Sequence, residues 1–387
     1  MKSFLTRNIL LLSLVSLFTD VASEMLYPVM PVYLKQIGFS MLLIGVLEGV
    51  AEATAGLSKG VFGKWSDNAG KRLPFVQWGY FMSALSKPMM ALFTFPLWIF
   101  SARTLDRLGK GMRSSARDAL LSDESGKEHK GKVFGFHRGM DTLGAAIGPL
   151  LALVYLHFHP EDYKTLFFIA FVPGLLGVLL TVVVKEHRVL PAPAKPKQSM
   201  LNYFSYWKEA NSTYKSTVSG LLLFTLFNSS DVFLLLLLKY KGYADESVLT
   251  VYIFYNLCYA LLAYPAGWLG DKWGLKNNLI TGLLIFAGVY GMVMAADATW
   301  QVYVLFFFYA AYAALTEGCS KALLSNLCEK KDTATALGFY SSFNSLALML
   351  ASFMAGFIWH NYGPSLTFVV TSAGALVAAV YLMRQKV

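Results

Sequence analysis

Charge is scarce in this chain: Asp, Glu, Lys and Arg together make up 14% of its 387 residues. A soluble globular domain carries about 25%, so a polar surface facing water on all sides is excluded. Cysteine is nearly absent, and Cys258, Cys319 and Cys328 stand at spacings that suit neither a metal site nor a redox pair. No G-x-x-x-x-G-K-(S/T) stretch occurs, so nothing resembles an ATP site, and no cofactor is expected. The short alternating segments of a membrane β-barrel are missing too, since runs such as FLLLLL at 233–238 are continuously apolar. Bases exceed acids, 33 to 23, for a net charge of +10. They are spread over the loops and do not gather into one domain, which gives no support to a nucleic-acid role.

What the chain has is apolar length. Hydrophobic residues make up 56%, mean hydropathy is +0.50, and runs long enough for a ~30 Å hydrocarbon core recur twelve times. They lie near 8–34, 41–63, 74–93, 95–115, 133–157, 165–185, 216–238, 247–269, 278–296, 300–324, 335–359 and 365–383. An all-α membrane protein with twelve transmembrane helices follows. The first run is too long for a cleavable signal and ends in YPVMPVYL without a small-residue cleavage site. Basic residues favour cytoplasmic loops. With the N-terminus inside, Lys64, Lys71, Arg72, Lys127, Lys130, Lys132, Lys272, Lys276, Lys330 and Lys331 fall on the inner side, and the outer loops keep only Lys35, Lys164, Lys239 and Lys241. Both termini are therefore expected in the cytoplasm, and the membrane is expected to be the inner one.

The chain also repeats itself. ALLS at 119–122 recurs at 322–325, Gly135-Phe136 recurs as Gly338-Phe339, and Asp141 falls on Asn344, all at an offset of about 203 residues. GKWSDNAGK at 63–71 matches GWLGDKWGLK at 267–276, and LFTDV at 17–21 faces LFNSSDV at 226–232, so that Asp20 corresponds to Asp231. Matches in register along the chain predict a duplicated six-helix unit. The expected organisation is a bundle over 1–185, a cytoplasmic linker over 186–215, which is rich in Pro and Lys, and a second bundle over 216–387. Two such halves are the layout of an alternating-access transporter, which needs no partner chain, and a monomer is expected.

At this point the residues resemble the major facilitator superfamily. GKWSDNAGKR at 63–72 looks like that family's G-x-x-x-D-x-x-G-(R/K)-(R/K) loop signature, with Gly63, Asp67, Gly70, Lys71 and Arg72 in place. The second copy keeps Gly267, Asp271, Gly274 and Lys276. Arg107 and Gly111 stand where the family's fourth-helix R-x-x-x-G motif falls, with Lys110 departing from its usual Gln. Gly144, Gly148 and Pro149 are similar to the G-x-x-x-G-P motif associated with antiporters. The resemblance implies the major facilitator fold and a bias toward export; it implies no substrate. Physically, a loop Asp such as Asp67 can accept from a helix N-terminus and from basic side chains, locking two helices on the cytoplasmic side.

A charge at mid-bilayer costs ~2.5–3.5 kcal/mol even on lenient scales, so the embedded ones must pair, face the bundle interior or be protonated. Asp20 and Glu24, Glu48 and Glu52, and Arg103 and Arg107 are each spaced i, i+4 and share a helix face, while Arg138 and Asp141 are i, i+3. Asp106 adds another acid, and Lys59, Lys87, Lys110 and Arg113 fall nearer the helix ends. Asp20, Glu24, Glu48, Glu52, Arg103, Arg107, Arg138 and Asp141 are the candidate proton-coupling or substrate residues. One of Asp20 and Glu24 is expected to pair with Arg103 or Arg107, and the other to carry an exchangeable proton or touch the guest. The prolines after them, Pro28 and Pro31, permit bending beside Tyr27 and Tyr33.

The second half is leaner. Glu317 and Lys321, i, i+4, are expected to pair. Asn228, Asp231, Tyr252, Tyr255, Asn256 and Asn344, with Tyr27 from the first half, are the candidate cavity wall, suited to an amphiphilic guest through stacking, cation–π contact and a few hydrogen bonds. The expected function is proton-coupled export of small amphiphilic or drug-like molecules through a lipid bilayer, with the small molecule and protons as partners. An organic anion such as a siderophore or metabolite, held by arginines, or a divalent metal, held by acids, is the competing guest. A membrane sensor is more remote, and an intramembrane enzyme using His137 and Asp141 lacks a nucleophile at evident spacing. No catalytic residue and no resident metal site is expected.

Overall fold

The break that the prolines prepare is present: α1 (Arg7–Glu24) stops at the second acid, a turn carries Tyr27 and Pro28, and α2 (Met30–Gln36) resumes. In this computed structural model, which describes residues 5–186, 200–228 and 231–385, the Pro- and Lys-bearing part of the linker, 187–199, lies outside the described residues. Five long helices follow: α3 (Met41–Ala69), α4 (Leu73–Leu92), α5 (Pro96–Glu124), α6 (Lys130–Phe158) and α7 (Tyr163–Val183). The one-turn α8 (Tyr206–Glu209) leads into a second broken helix, α9 (Ser212–Phe227) and α10 (Val232–Tyr240). Then come α11 (Asp245–Trp273), α12 (Leu275–Met292), α13 (Thr299–Leu327), α14 (Thr333–Tyr362) and α15 (Pro364–Arg384). With each broken helix taken as one, this is the twelve-helix architecture. Among the described residues, seven helices are long and apolar enough to cross a membrane by length and composition. The others are broken or carry the charged side chains described below.

The repeat extends to the backbone. Gly38 and Gly242, about 204 positions apart, both take a left-handed φ, 93° and 88°, where α2 and α10 end. In both places the next amide reaches back to a leucine carbonyl, Phe39 to Leu34 and Tyr243 to Leu238. Packing order repeats as well: α1 lies on α7, α7 on α4, α4 on α5 and α5 on α3, while α9 lies on α15, α15 on α12, α12 on α13 and α13 on α11.

The chain divides into two compact units, which cut α6 and α14. The first comprises 1–125, 140–208 and 329–342; the second comprises 126–139, 209–328 and 343–387. Inside each, glycines bring backbones together. In the first unit a Cβ on Gly63 would stand 2.4 Å from the Ala334 carbonyl oxygen, and one on Gly338 2.5 Å from that of Lys59. In the second, a Cβ on Gly135 would stand 2.4 Å from the Ala263 oxygen, and one on Gly267 2.1 Å from that of Gly131. Small residues four apart permit such close helix crossings without a hydrophobic driving force. Gly144 and Gly148 do the same for α6 against α1, where a Cβ would meet the Leu17 and Val21 oxygens at 2.5 and 2.7 Å.

Candidate functional site

A hollow opens in the first unit, lined by Asp20, Ser23, Glu24 and Tyr27 around the break in helix one, and by Lys87, Arg103, Asp106, Arg107, Lys110 and Arg113. Two i, i+4 ladders meet beside it, because α3 packs on α5. Glu48 takes the guanidinium of Arg103 in a fork, with Arg103 Nε and Nη2 donating at 2.9 and 2.8 Å. Arg107 Nη2 lies 3.2 Å from Glu52, whose side chain is 63% exposed. Asp106 is shared by Lys87, 3.1 Å away, and Arg103, 3.6 Å away. Lys87 also donates to Ser23 at 3.2 Å. Arg113 donates to Ser83 and stands 4.6 Å over the Tyr80 ring.

The arginines are therefore taken by α3 and by Asp106, and the expected pairing of Asp20 or Glu24 with Arg103 or Arg107 does not form. The ladder on α3 has the spacing of the ladder on α5, whereas α1 lies on α7. Among the described residues Asp20 and Glu24 make no ion pair or side-chain hydrogen bond, and neither does Lys110. Arg107 Nε is buried and has no acceptor. Lys87, Lys110 and Arg113, expected nearer the helix ends, line the same hollow.

Asp141 belongs to a separate buried group of the first unit, accepting from the Ser16 hydroxyl and lying 3.9 Å from Arg117. Arg117 donates to Ser16 at 2.9 Å and forks onto Asp118. Sequence reading missed this group, although the adjacent Arg-Asp pair inside a long helix was a usable signal.

At the other end of α3, Gly70 caps the helix with a left-handed φ of 60° and the chain turns into α4, leaving Lys71 exposed. The Asp67 carboxylate accepts from the first amides of α14, Ala334 at 3.4 Å and Thr335 at 2.7 Å, and from the Thr335 hydroxyl at 2.8 Å. Arg72 Nη2 donates to it at 3.0 Å and also reaches the Lys330 carbonyl, while its Nη1 pairs with Asp123. A carboxylate on the positive end of a helix is favourable, and here it is almost wholly buried. The second unit contains the counterpart: Asp271 accepts from the first amides of α6, Gly131 at 2.7 Å and Lys132 at 2.9 Å.

The second unit's interior is aromatic. Tyr255 lies 5.1 Å from Tyr309, Tyr309 5.4 Å from Tyr312, and Phe286 4.7 Å from Tyr312. Tyr252 is 6.4 Å from Tyr255. Asp231, at the break between α9 and α10, accepts from the Tyr309 hydroxyl. Asn228 donates to Tyr312 at 3.0 Å, Asn344 accepts from Thr225 at 2.7 Å, and Asn256 is turned back onto the Tyr252 carbonyl of its own helix. Arg138 belongs to this unit and not with Asp141. It pairs with Glu317, the acid expected on spacing to pair with Lys321, and it donates to the Tyr259 hydroxyl at 2.7 Å. No cluster of three or more metal-binding side chains occurs among the described residues.

A bilayer-spanning bundle of two repeated six-helix units, with an ionisable hollow beside a broken helix, defines the class of secondary transporters. The sequence matches the Major Facilitator Superfamily over residues 12–258 and 217–386, and the chain belongs to that family. An uncharacterised MFS-type transporter of Methanocaldococcus jannaschii is 32% identical over 389 residues, spanning 98% of this chain and 95% of that one. Multidrug resistance protein MdtH of Yersinia pestis is 23% identical over 329 residues, spanning 82% of this chain and 77% of that one. Among solved structures, the human organic anion transporter MFSD10 (TETRAN) has a TM-score of 0.82 at 16% identity, covering 97% of this chain and 99% of its own. The Escherichia coli fucose:proton symporter FucP has a TM-score of 0.80 at 13% identity, with 98% of each chain covered. The protein is thus a transporter of small molecules through a lipid bilayer, and not an enzyme.

Proposed function

We propose that the chain is a proton-coupled exporter of small amphiphilic molecules, working by alternating access as a monomer in the cytoplasmic membrane, with both termini in the cytoplasm. The observation that carries this reading is the pair Asp20 and Glu24, two acids lining the hollow with no ion-pair partner among the described residues. An acid held by an arginine surrenders that partner only at a cost of several kcal/mol, about 3–5 when one side of a buried pair is lost. An acid without one exchanges a proton for a guest and breaks nothing. In the proposed cycle the guest enters from the cytoplasm as protons leave Asp20 and Glu24, the site opens outward, and reprotonation resets it. Asp67 acts as a latch on the cytoplasmic side, holding the start of α14 in one state and releasing it in the other. The aromatic interior of the second unit offers a stacking surface within that unit.

The test is pH-gradient dissipation in everted vesicles challenged with a panel of amphiphiles, a divalent metal and an organic anion. Guest-dependent proton release by the unmodified chain, lost at least ~100-fold in Asp20→Asn with Glu24→Gln, is expected, since the double variant keeps neither exchangeable group of the pair. Unaltered release in the double variant overturns the assignment.

A further inference from the structure

The hollow in the first unit has unsatisfied groups of both signs. Its cations are Lys87, Arg103, Arg107, Lys110 and Arg113; the first three meet Asp106, Glu48 and Glu52, Arg113 is held by Ser83 and the Tyr80 ring and, among the described residues, by no acid, and Asp20 and Glu24 stand apart. When every acid is ionised the set is electrically balanced, yet the balance is not made by contact. Lys110 touches no acid, Arg107 Nε has no acceptor, and Asp20 and Glu24 touch no cation. All four of these groups line one cavity, and the Arg107 guanidinium stands one turn from Lys110 on α5.

The balance constrains what enters. A guest with a net positive charge would find Asp20 and Glu24 but would add to a hollow that Lys110 and Arg113 already neutralise. A net anion would find Lys110 and Arg107 beside two uncompensated carboxylates. A head group carrying both signs answers each leftover group and leaves the sum at zero, with its ammonium toward Asp20 and Glu24 and its carboxylate toward Lys110 and the free edge of Arg107. We propose that the hollow takes the zwitterionic head group of its guest, and that Lys110 is the residue that sets this charge class. This names the substrate class of the site proposed above and rests on that reading. The ammonium displaces the protons of Asp20 and Glu24, so a zwitterion still drives proton release. Its carboxylate occupies the place that a purely cationic guest leaves empty.

Three probes share one body and differ in the head: phenylalanine as zwitterion, phenethylamine as cation and 3-phenylpropionate as anion. Binding is measured by thermal shift on the purified full chain in nanodiscs without a pH gradient, and proton release is measured separately in everted vesicles. Phenylalanine is expected to bind at least ~10-fold more tightly than either single-charge probe, the difference of one charge-assisted contact. Lys110→Gln is expected to reverse the order in favour of phenethylamine, and Lys110→Arg to restore phenylalanine. The unliganded melting temperature of each variant reports whether it folds, and the arginine variant carries the test if the glutamine one does not. Equal binding of the three, preference for either single-charge probe, absence of binding by all of them, or an order unchanged in Lys110→Gln overturns the proposal. Head-group selectivity without proton release keeps the charge-class assignment and overturns the proton-coupled reading alone.

Discussion

Aligning α3 with α11 and α5 with α13, each 29 residues long, sets Glu48 against Tyr252, Glu52 against Asn256, Arg103 against Phe306 and Asp106 against Tyr309. Where the first unit holds an ion-pair ladder, the second holds packed rings and an amide. The helices pack in the same order in both. Replacing a buried ion-pair network by packed apolar groups is often neutral or stabilising, and the second unit is that replacement made within one molecule. The same packing order is thus reached with rings where the first unit has charges. The ladder of the first unit is what the proposed proton coupling draws on, and the rings of the second form an aromatic surface within that unit.

The comparison breaks most visibly if single members of the ladder are expendable. Arg103 is buried and serves both Glu48 and Asp106, so Arg103→Gln leaves Glu48 without its cation and Asp106 with Lys87 alone, and is expected to cost about 3–5 kcal/mol. The aligned Phe306→Leu conserves apolar character and is expected to cost about 1 kcal/mol. Thermal unfolding in detergent measures both. An Arg103→Gln melting point equal to that of Phe306→Leu would mean that the ladder is loose and the charged unit no more committed than the aromatic one.

The next effect concerns the two latches. Asp67 is almost wholly buried and holds two amides, a hydroxyl and Arg72; Asp271 is half-buried and, in its amide contacts, holds two. Hydrogen bonds to a charged group contribute about 1.5–3 kcal/mol. Asp67→Asn is expected to speed amide exchange at Ala334 and Thr335 by ~30-fold or more, and Asp271→Asn to speed exchange at Gly131 and Lys132 by ~5-fold. Transport turnover is expected to fall in the same order while guest affinity holds. Equal acceleration at both helix starts would make the latches equivalent, and an affinity loss matching the turnover loss would remove the latch role from Asp67.

Much of this was legible before any coordinates. Apolar length gave the twelve helices, and the duplicated Gly-Asp stretches gave the pairing of Asp67 with Asp271, because both signals are local and periodic. The break at Tyr27–Pro28 was visible in the prolines. Partner choice was not: Glu48 and Glu52 compete with Asp20 and Glu24 for the same arginines on spacing alone, and the contact of α3 with α5 decides between them. Arg138 and Asp141 share a stretch of α6, yet the helix is cut between them and each joins a different polar group. Spacing shows which side chains share a face and not which neighbour that face meets. Lys110 stood out in the sequence as a departure from a motif and as a base near a helix end; its place in the proposal comes from the partners its neighbours take.

The smallest effect tests the aromatic side alone. The Tyr309 hydroxyl donates to Asp231 at the break of the seventh helix, and its ring packs against Tyr255 and Tyr312. Tyr309→Phe removes the donor and keeps the ring, which separates two roles that a change to alanine would merge. If the second unit's rings serve guest affinity and not proton coupling, the variant is expected to weaken guest affinity by ~5-fold, about 1 kcal/mol, with protons released per guest unchanged. Equilibrium binding and the ratio of proton to guest flux check the two halves of that statement independently. A change in the proton ratio would place Asp231 in the coupling step beside Asp20, its counterpart in the repeat, and would end the division of labour between a charged unit and an aromatic one.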